Sequence, residues 1–381
     1  MKTNDLVLGI MSGTSIDGVD YALCEISSSE IKLKKLWSVD YPSELRKNLL
    51  KAAHDEVSSY QVAQLHHDLG RFYSQRAPQV KCDYVGLHGQ TIFHRPHKTE
   101  AATYQIGEPA YLSAKLKVPV INQFRNMDLA MGGQGAPLAT LFHRAVFSQK
   151  NLNVAVNNLG GISNVTYLPK GFNSKKIMSF DTGPANMLID RTMQHFTHGK
   201  YSCDKEGRFA AQGLASQEII SKWMKHPFFK IKPPKSTGRE DFGDIFFKNA
   251  FRDCQKAKLN KYDIIATFTD FTARSIAEAY LRFLPQFPDL VILAGGGAAN
   301  GTLVSRIRWA LRSLQWETQR YKIKKPIDVT TTDALGWPSQ SIEAAAFALL
   351  AYRTVHHLSG NIPQTTGARR AAILGQITPA P

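Results

Sequence analysis

The chain has 381 residues, 47 of them Lys or Arg against 31 Asp or Glu, for a net charge of +16, and it is 43% hydrophobic and 20% charged. That balance describes a soluble globular protein with one large or two medium cores, and two domains is the better expectation. Cys24, Cys82, Cys203 and Cys254 are scattered and form no C-x-x-C pair, which excludes a disulfide scaffold or a zinc knuckle and fits a reducing cytosol. No apolar run reaches the length of a membrane span, and the residues after Met1 do not lead from a basic start into a long apolar segment, so neither a membrane anchor nor a signal peptide is expected, and the expected compartment is the cytoplasm. The positive charge raises nucleic acid, a membrane surface or an acidic small molecule as partners. Its local excesses, at Lys32 to Lys35, Lys230 to Arg239 and Lys322 to Lys325, lack the interleaved aromatics that stack bases, and they read as solvated faces.

Two strand-like runs, Asp5 to Ile10 and Val19 to Ile26, are joined by a turn within Gly9 to Asp20, G-I-M-S-G-T-S-I-D-G-V-D. Hydroxyls and glycines at a hairpin tip can cradle phosphate oxygens, and Gly13 and Gly18 suit that role. An ordinary Gly/Ser/Asp tip explains the composition as well, and no Walker A pattern is present. Ile31 to Tyr41 reads as a third strand, followed by helices at Ser43 to Ala53 and Val57 to Gln75. Val85 to Leu87 reads as a short strand opening into His88-Gly89-Gln90-Thr91, where His88 is either a proton carrier or ligand contact or a histidine held in a loop. Val118 to Ile121 runs into Asn122, Arg125 and Asp128, then Gly132, Gly133, Gln134 and Gly135, before a helix over Leu138 to Phe147. That loop can hold a polar ligand or link domains. A boundary placed there divides the chain into 1–130 and 131–381, with the tail able to pack back on the first part.

Asn151 to Leu168 repeats the opening theme, with the strand Val154 to Val156, the turn Asn158 to Asn164 and the strand Val165 to Leu168, which suggests two related halves facing a common cleft. Ile177 to Phe180 reads as a strand ending at Asp181, ahead of Thr182-Gly183-Pro184 and a helix over Asn186 to Phe196. Asp181 there is either poised over a ligand or caps the helix. Further helices are expected at Leu214 to Met224, Ile245 to Ala257 and Ile264 to Phe283, with Phe228 to Gly243 an irregular basic loop. Leu290 to Leu293 reads as a buried strand running into Ala294 to Gly297, then Asn300 and a helix over Leu303 to Leu314. Ile327 to Val329 reads as the last strand, and Gln340 to Tyr352 as a long helix with Glu343 near its start.

Read together, the Asp-bearing hairpin, D-T-G-P after a later strand and G-G-G near the end follow the order of the phosphate and adenosine motifs of the actin, hexokinase and Hsp70 superfamily. More closely, the chain resembles the anhydro-N-acetylmuramic acid kinases of bacterial cell-wall recycling. The carrying motifs are M-S-G-T-S-I-D-G-V-D, G-L-H-G-Q-T-I-F-H-R-P, G-G-Q-G-A-P-L, N-L-G-G-I-S-N-V-T, F-D-T-G-P-A-N-M-L-I-D and L-A-G-G-G-A-A-N, in one order over nearly the full length. Two departures stand out: Ala185 where the pattern has Gly, and Gln364-Thr365 where it has Ser-Val.

The resemblance implies an α/β fold of two ribonuclease-H-like domains around a central ATP cleft. It implies ATP and Mg2+, with no metal ligand assigned. It also implies hydrolytic opening of the 1,6-anhydro bridge of anhydro-N-acetylmuramic acid by water, together with phosphorylation of O6. On the same basis Asp181 matches the catalytic base, and Glu343 is a second acid/base, a sugar contact or simply a helix-start carboxylate. ATP falls to Gly13, Thr14, Ser15, Ile16, Asp17, Gly18, Val19 and Asp20, and to Gly160, Gly161, Gly295, Gly296, Gly297 and Asn300. His88, Arg125, Asp128 and Asn158 are the candidates for the sugar, with an arginine the natural partner of its lactyl carboxylate. No nucleic acid and no membrane are expected as partners, and a homodimer stays open. A plain sugar kinase and a silent ATP-gated sugar sensor or assembly module are the rival readings.

Overall fold

Apolar residues on the buried face carry three consecutive antiparallel strands, β1 (Asp5–Ser12), β2 (Gly18–Ile26) and β3 (Ile31–Asp40). A computed structural model describes residues 4–96, 100–317 and 325–381, so most of the basic stretch ending at Lys325 lies outside the described residues. Helices α1 (Ser43–Ala53) and α2 (Ser59–Arg76) follow, the second opened by a capping box in which Ser58 and Gln61 exchange hydrogen bonds. β4 (Tyr84–Arg95) runs parallel to β1 and is far longer than Val85 to Leu87. The His88–Thr91 segment is strand rather than loop: Gln90 pairs with Ser12 of β1, and Gln90 and Thr91 pair with β5 (Ala102–Ile106). After α3 (Ala110–Leu116), β6 (Val120–Asn122) extends the parallel side, and α4 (Asn126–Ala130) and α5 (Ala139–Phe147) complete the stretch.

The second sheet starts with the antiparallel strands β7 (Val154–Leu159), β8 (Ile162–Leu168) and β9 (Met178–Pro184), followed by α6 (Asn186–Phe196). Helices α7 (Gln217–Trp223), α8 (Arg239–Phe242), α9 (Asp244–Lys256) and α10 (Lys261–Phe283) enclose a core rich in aromatic residues, including Trp223, Phe228, Phe229, Phe242, Phe268 and Phe271. β10 (Leu290–Ala294) then joins β7 in parallel, α11 (Gly301–Glu317) crosses over, and β11 (Asp328–Thr331) closes the order. A last stretch brings α12 (Ser341–Val355), α13 (Pro363–Thr366) and β12 (Gln376–Thr378), which pairs with β6.

These elements form two units, one of residues 1–146 and 340–381, the other of 147–339. The division therefore falls after Val146, not at 130. The glycine loop 132–135 stays with the first unit because Asp128 holds it against the returning tail, accepting from Gly135 N (2.8 Å), Asn361 Nδ2 (2.6 Å) and Thr366 Oγ1 (2.8 Å). The same latch includes Gln134 N donating to Thr366 O (2.7 Å).

Strand order is the same in both units. The first unit reads β12-β6-β4-β1-β2-β3 with β5 on β4, and the second β11-β10-β7-β8-β9. In each, three antiparallel strands are followed by two parallel ones on the far side of the first strand. In the first unit α12 packs on β1, β2 and β4. The paired Gly9 and Gly86 let it approach, since a Cβ would fall 1.9 Å from Ala344 O at Gly9 and 2.2 Å from Phe347 O at Gly86. This crossing fixes where Glu343, in the first turn of α12, emerges.

Candidate active site

In the first unit the turn between β1 and β2 closes through Ile16 N donating to Gly13 O (3.2 Å). Three groups pin it from behind. Gln90 Nε2 donates to Gly13 O (3.0 Å), Arg46 Nε to Ile16 O (2.9 Å), and Tyr41 N to Asp17 O (2.9 Å). A buried network of Tyr41 OH, Ser12 Oγ and Tyr73 OH, with Tyr41 OH also donating to Gln90 Oε1, stiffens the turn.

Ile16 and Val19 face the core, so their side chains hold the turn rather than a ligand. Gly18 is required by packing, since a Cβ there would fall 2.5 Å from Val39 O, whereas one on Gly13 would meet nothing nearer than Ser15 Oγ at 3.5 Å. Gly13 therefore leaves open room beside exposed Thr14, Ser15 and Asp17. The Asp17 carboxylate makes no hydrogen bond or ion pair among the described residues. Asp20 accepts from Ser38 Oγ; burial raises its carboxyl against that bond, and Asp17 adds repulsion.

The same unit brings together His88, Arg125 and Glu343. His88 is buried on β4, and its Nε2 accepts from Arg125 Nε (3.2 Å) and Nη2 (3.0 Å), which fixes it as the neutral Nδ1–H tautomer. Burial pushes the imidazole well below its ordinary value, and the guanidinium reinforces this. Arg125 Nη1 donates to Gly135 O (2.6 Å). Burial lowers the guanidinium to about 10, with Glu343 and Asp128 pulling the other way, so it keeps its charge at neutral pH. Arg125 makes no ion pair among the described residues, which leaves its charge available to an incoming carboxylate.

Glu343 is exposed, yet the protein packed around it raises its carboxyl, with Arg125 opposing and Asp20 adding to the rise. Asp128, by contrast, is fully buried, and its oxygens are taken by the tail latch. That favours a structural latch over the contact to the sugar expected from the sequence. Asp128→Ala should strand three buried donors and cost about 3–9 kcal/mol, at roughly 1–3 kcal/mol for each unsatisfied group. A urea melt checks this, and an unchanged midpoint with a raised KM for the sugar would return Asp128 to ligand binding.

In the second unit Asn158, at the end of β7, stands beside Gly295, where a Cβ would lie 2.4 Å from Asn158 Oδ1. Gly297 is likewise required by packing, against Leu159 and Asn186. Gly160, Gly161 and Gly296 are not, since a Cβ on any of them would meet nothing nearer than 3.6 Å. Their bare backbone leaves a cradle that a side chain would fill, the space a phosphate or ribose needs. The carbonyls of Gly160 and Gly161 accept from Asn186 N (2.9 Å) and Ala185 N (2.9 Å), tying this turn to the start of α6. Asn300 is spent as a cap, its Oδ1 accepting from Leu303 N (2.9 Å) at the start of α11, so its side chain is not free for a nucleotide.

Asp181 lies inside β9, paired with Asn164, rather than at a strand end, because the strand continues to Pro184. It does not cap α6. Its Oδ1 accepts from Asn164 Nδ2 (2.8 Å) and its Oδ2 from Thr237 N (2.9 Å), leaving each oxygen a further lone pair. Burial raises the carboxyl, opposed by those two bonds and by Lys235, with Glu240 adding repulsion. Ala185, the departure from the family pattern, is buried at φ −115°, outside the left-handed region that favours glycine, so its methyl is accommodated.

Asn164, Thr237, Lys235 and Gln90 are the neighbours of the candidate residues that sequence reasoning missed. Gln90 sits inside a motif already marked by His88. Thr237 and Lys235 lie in the stretch read as an irregular basic loop, and Lys235 is buried rather than part of a solvated face.

Two ribonuclease-H-like units, each built on a hairpin with an open glycine turn, define the class: the architecture of the actin, hexokinase and Hsp70 ATPases. The family model described as anhydro-N-acetylmuramic acid kinase matches residues 5–380, and the chain belongs to that family. Curated relatives of that name include one from Synechocystis sp., 40% identical over 97% of both chains, and one from Caldanaerobacter subterraneus subsp. tengcongensis, 35% identical over 99% of this chain and 98% of its own. Among solved structures, the activator of the 2-hydroxyisocaproyl-CoA dehydratase from Clostridium difficile is similar at a TM-score of 0.45 and 10% identity, over 92% of this chain and 96% of its own. A ROK hexokinase from Thermus thermophilus is similar at a TM-score of 0.37 and 12% identity, over 90% and 98%. Membership of a kinase family makes the chain a phosphotransferase that uses ATP. Among the described residues no helix is long and apolar enough to cross a membrane.

Proposed function

We propose that the protein opens the 1,6-anhydro bridge of anhydro-N-acetylmuramic acid with water and transfers the γ-phosphoryl group of ATP to O6, giving N-acetylmuramic acid 6-phosphate. The observation that carries the hydrolytic half is the Asp181 carboxylate. It is fixed by one donor on each oxygen and raised by burial, and it keeps a free lone pair for water. Asp181 takes a proton from water as the water oxygen bonds to C1. The C1–O6 bond breaks, its electron pair stays on O6, and O6 attacks the γ-phosphorus as ADP leaves.

Arg125, held by His88 Nε2 and Gly135 O, binds the lactyl carboxylate, and Glu343 beside it contacts sugar hydroxyls. In the first unit the open backbone at Gly13, with Thr14 and Ser15, suits phosphate oxygens, and in the second unit that at Gly160, Gly161 and Gly296 suits a phosphate or ribose. Mg2+ supplies charge neutralisation at the phosphates and is typically held by one or two carboxylates plus the phosphates themselves, a role that exposed Asp17 fits.

The test is turnover in water enriched in oxygen-18. The proposal requires the label at C1 of the phosphorylated sugar. Phosphorylation of free N-acetylmuramic acid, with no turnover of the anhydro sugar, would leave a plain sugar kinase.

A further inference from the structure

We infer that Lys235 is a positioning residue that holds the Asp181 carboxylate ionised from a distance while leaving its oxygens open to water, an inference that rests on reading Asp181 as the base. β9 is the outer strand of its sheet, so its outward backbone groups need partners. The loop 235–237 supplies them: Asp181 N donates to Lys235 O (3.1 Å) and Thr237 N to Asp181 Oδ2 (2.9 Å). One main-chain bond and one bond from main chain to carboxylate therefore register the loop against Asp181, although 54 positions separate Lys235 from Asp181 in a chain that gives no local signal of the pairing.

The Lys235 side chain then turns inward. It is only 9% exposed, and its ammonium donates to Phe228 O (3.2 Å) and lies 4.1 Å from the Phe228 ring centre and 4.6 Å from that of Phe283. Ring faces and one carbonyl steady the cation. It has no ion-pair partner among the described residues, and a buried ammonium in that condition is costly to keep. What it gains is an electrostatic role. The ammonium acts on Asp181 through space, while neutral donors, Asn164 and Thr237, occupy one position on each carboxylate oxygen.

The charged groups facing this pair are Glu240, which repels the Asp181 carboxylate, and Arg282, which repels the ammonium. Burial lowers Lys235 to about 8, with Asp181 holding it up, so it is mostly charged at neutral pH. Lysine therefore suits the position: its loss of charge lies above the range in which Asp181 must ionise.

The experiment is the pH profile of kcat/KM for anhydro-N-acetylmuramic acid, measured on the full chain as wild type, Lys235→Met, Lys235→Arg and Asp181→Asn. An opposite charge nearby favours the ionised carboxylate, so its removal raises the acid-side apparent pKa. We expect the acid limb of Lys235→Met to move up by about one unit, the low end of such effects. Turnover should be restored as pH rises past the limb, and Lys235→Arg should keep the limb near the wild-type position. A uniform loss of activity with the limb unmoved would overturn the inference and leave Lys235 as packing. Asp181→Asn keeps the two readings apart: an active Asn variant overturns the base itself, whereas an inactive one beside an unmoved Met limb overturns only the role of Lys235. If Lys235→Met does not fold, Lys235→Gln gives the same comparison.

Discussion

Asp181→Asn is expected to abolish bridge opening and phosphorylation together while sparing ATP binding. Loss of a positioned general base costs about 100-fold to 10,000-fold in rate. The substitution is nearly isosteric, but its consequence for hydrogen bonding is specific. Asp181 accepts one bond on each oxygen, from Asn164 Nδ2 and Thr237 N, and an asparagine offers only one acceptor oxygen. With that oxygen on Thr237 N, the new amide faces Asn164, which can turn its own amide over and present Oδ1. The fold is therefore retained at a cost of about 1 kcal/mol, the net worth of one hydrogen bond. In the proposed mechanism O6 becomes an acceptor only as the bridge opens, so both half-reactions should fall in step. The check is simultaneous measurement of ADP release and oxygen-18 entry at C1. More than about a tenth of wild-type turnover, a smaller loss than a general base leaves, would move the base elsewhere, with Glu343 the next carboxylate to test.

Asp17→Ala is expected to lower kcat/KM for ATP by about 100-fold, the size of effect seen when one charge-stabilising group is removed from a transition state. The same variant should melt within about 0.5 kcal/mol of wild type, as exposed side chains without partners do. The contrast follows from the turn's construction. Asp17 O accepts from Tyr41 N through the main chain, while its carboxylate makes no bond among the described residues, so alanine removes charge without removing support. Steady-state kinetics at several Mg2+ concentrations, with a thermal melt of the same sample, supply the measurement. Normal ATP kinetics would take Asp17 out of the site. A melting loss equal to the kinetic loss would make it structural.

The motifs that mark the family lie in the sequence in the right order, and the matched model runs from residue 5 to 380. The two hairpins, the helices α1, α6 and α10 and the Gly-rich turn after β10 were legible because each depends on residues close in the chain: alternation, helical spacing and glycine positions. The strand reading stopped at Leu87, since the partners that carry β4 onward, Ser12 of β1 and Ile106 and Gln105 of β5, lie far from it in sequence. Asp128 looked like a ligand contact beside glycines. Only the return of Asn361 and Thr366, more than two hundred positions later, shows its carboxylate to be a latch.

Local chemistry in the sequence thus determined the class and the family, and it marked Asp181 as the carboxylate to propose as the base. Tertiary structure decided which of the candidate polar groups are free and which are spent. Asp181 is held by Thr237, 56 residues away, and Lys235 is buried against Phe228 and Phe283, while Asn300 is consumed as a helix cap. The reason is physical: propensity and spacing act over a few residues, but a buried polar group's role is set by whichever donor or acceptor the folded chain brings to it, and that partner lies at no fixed distance in sequence.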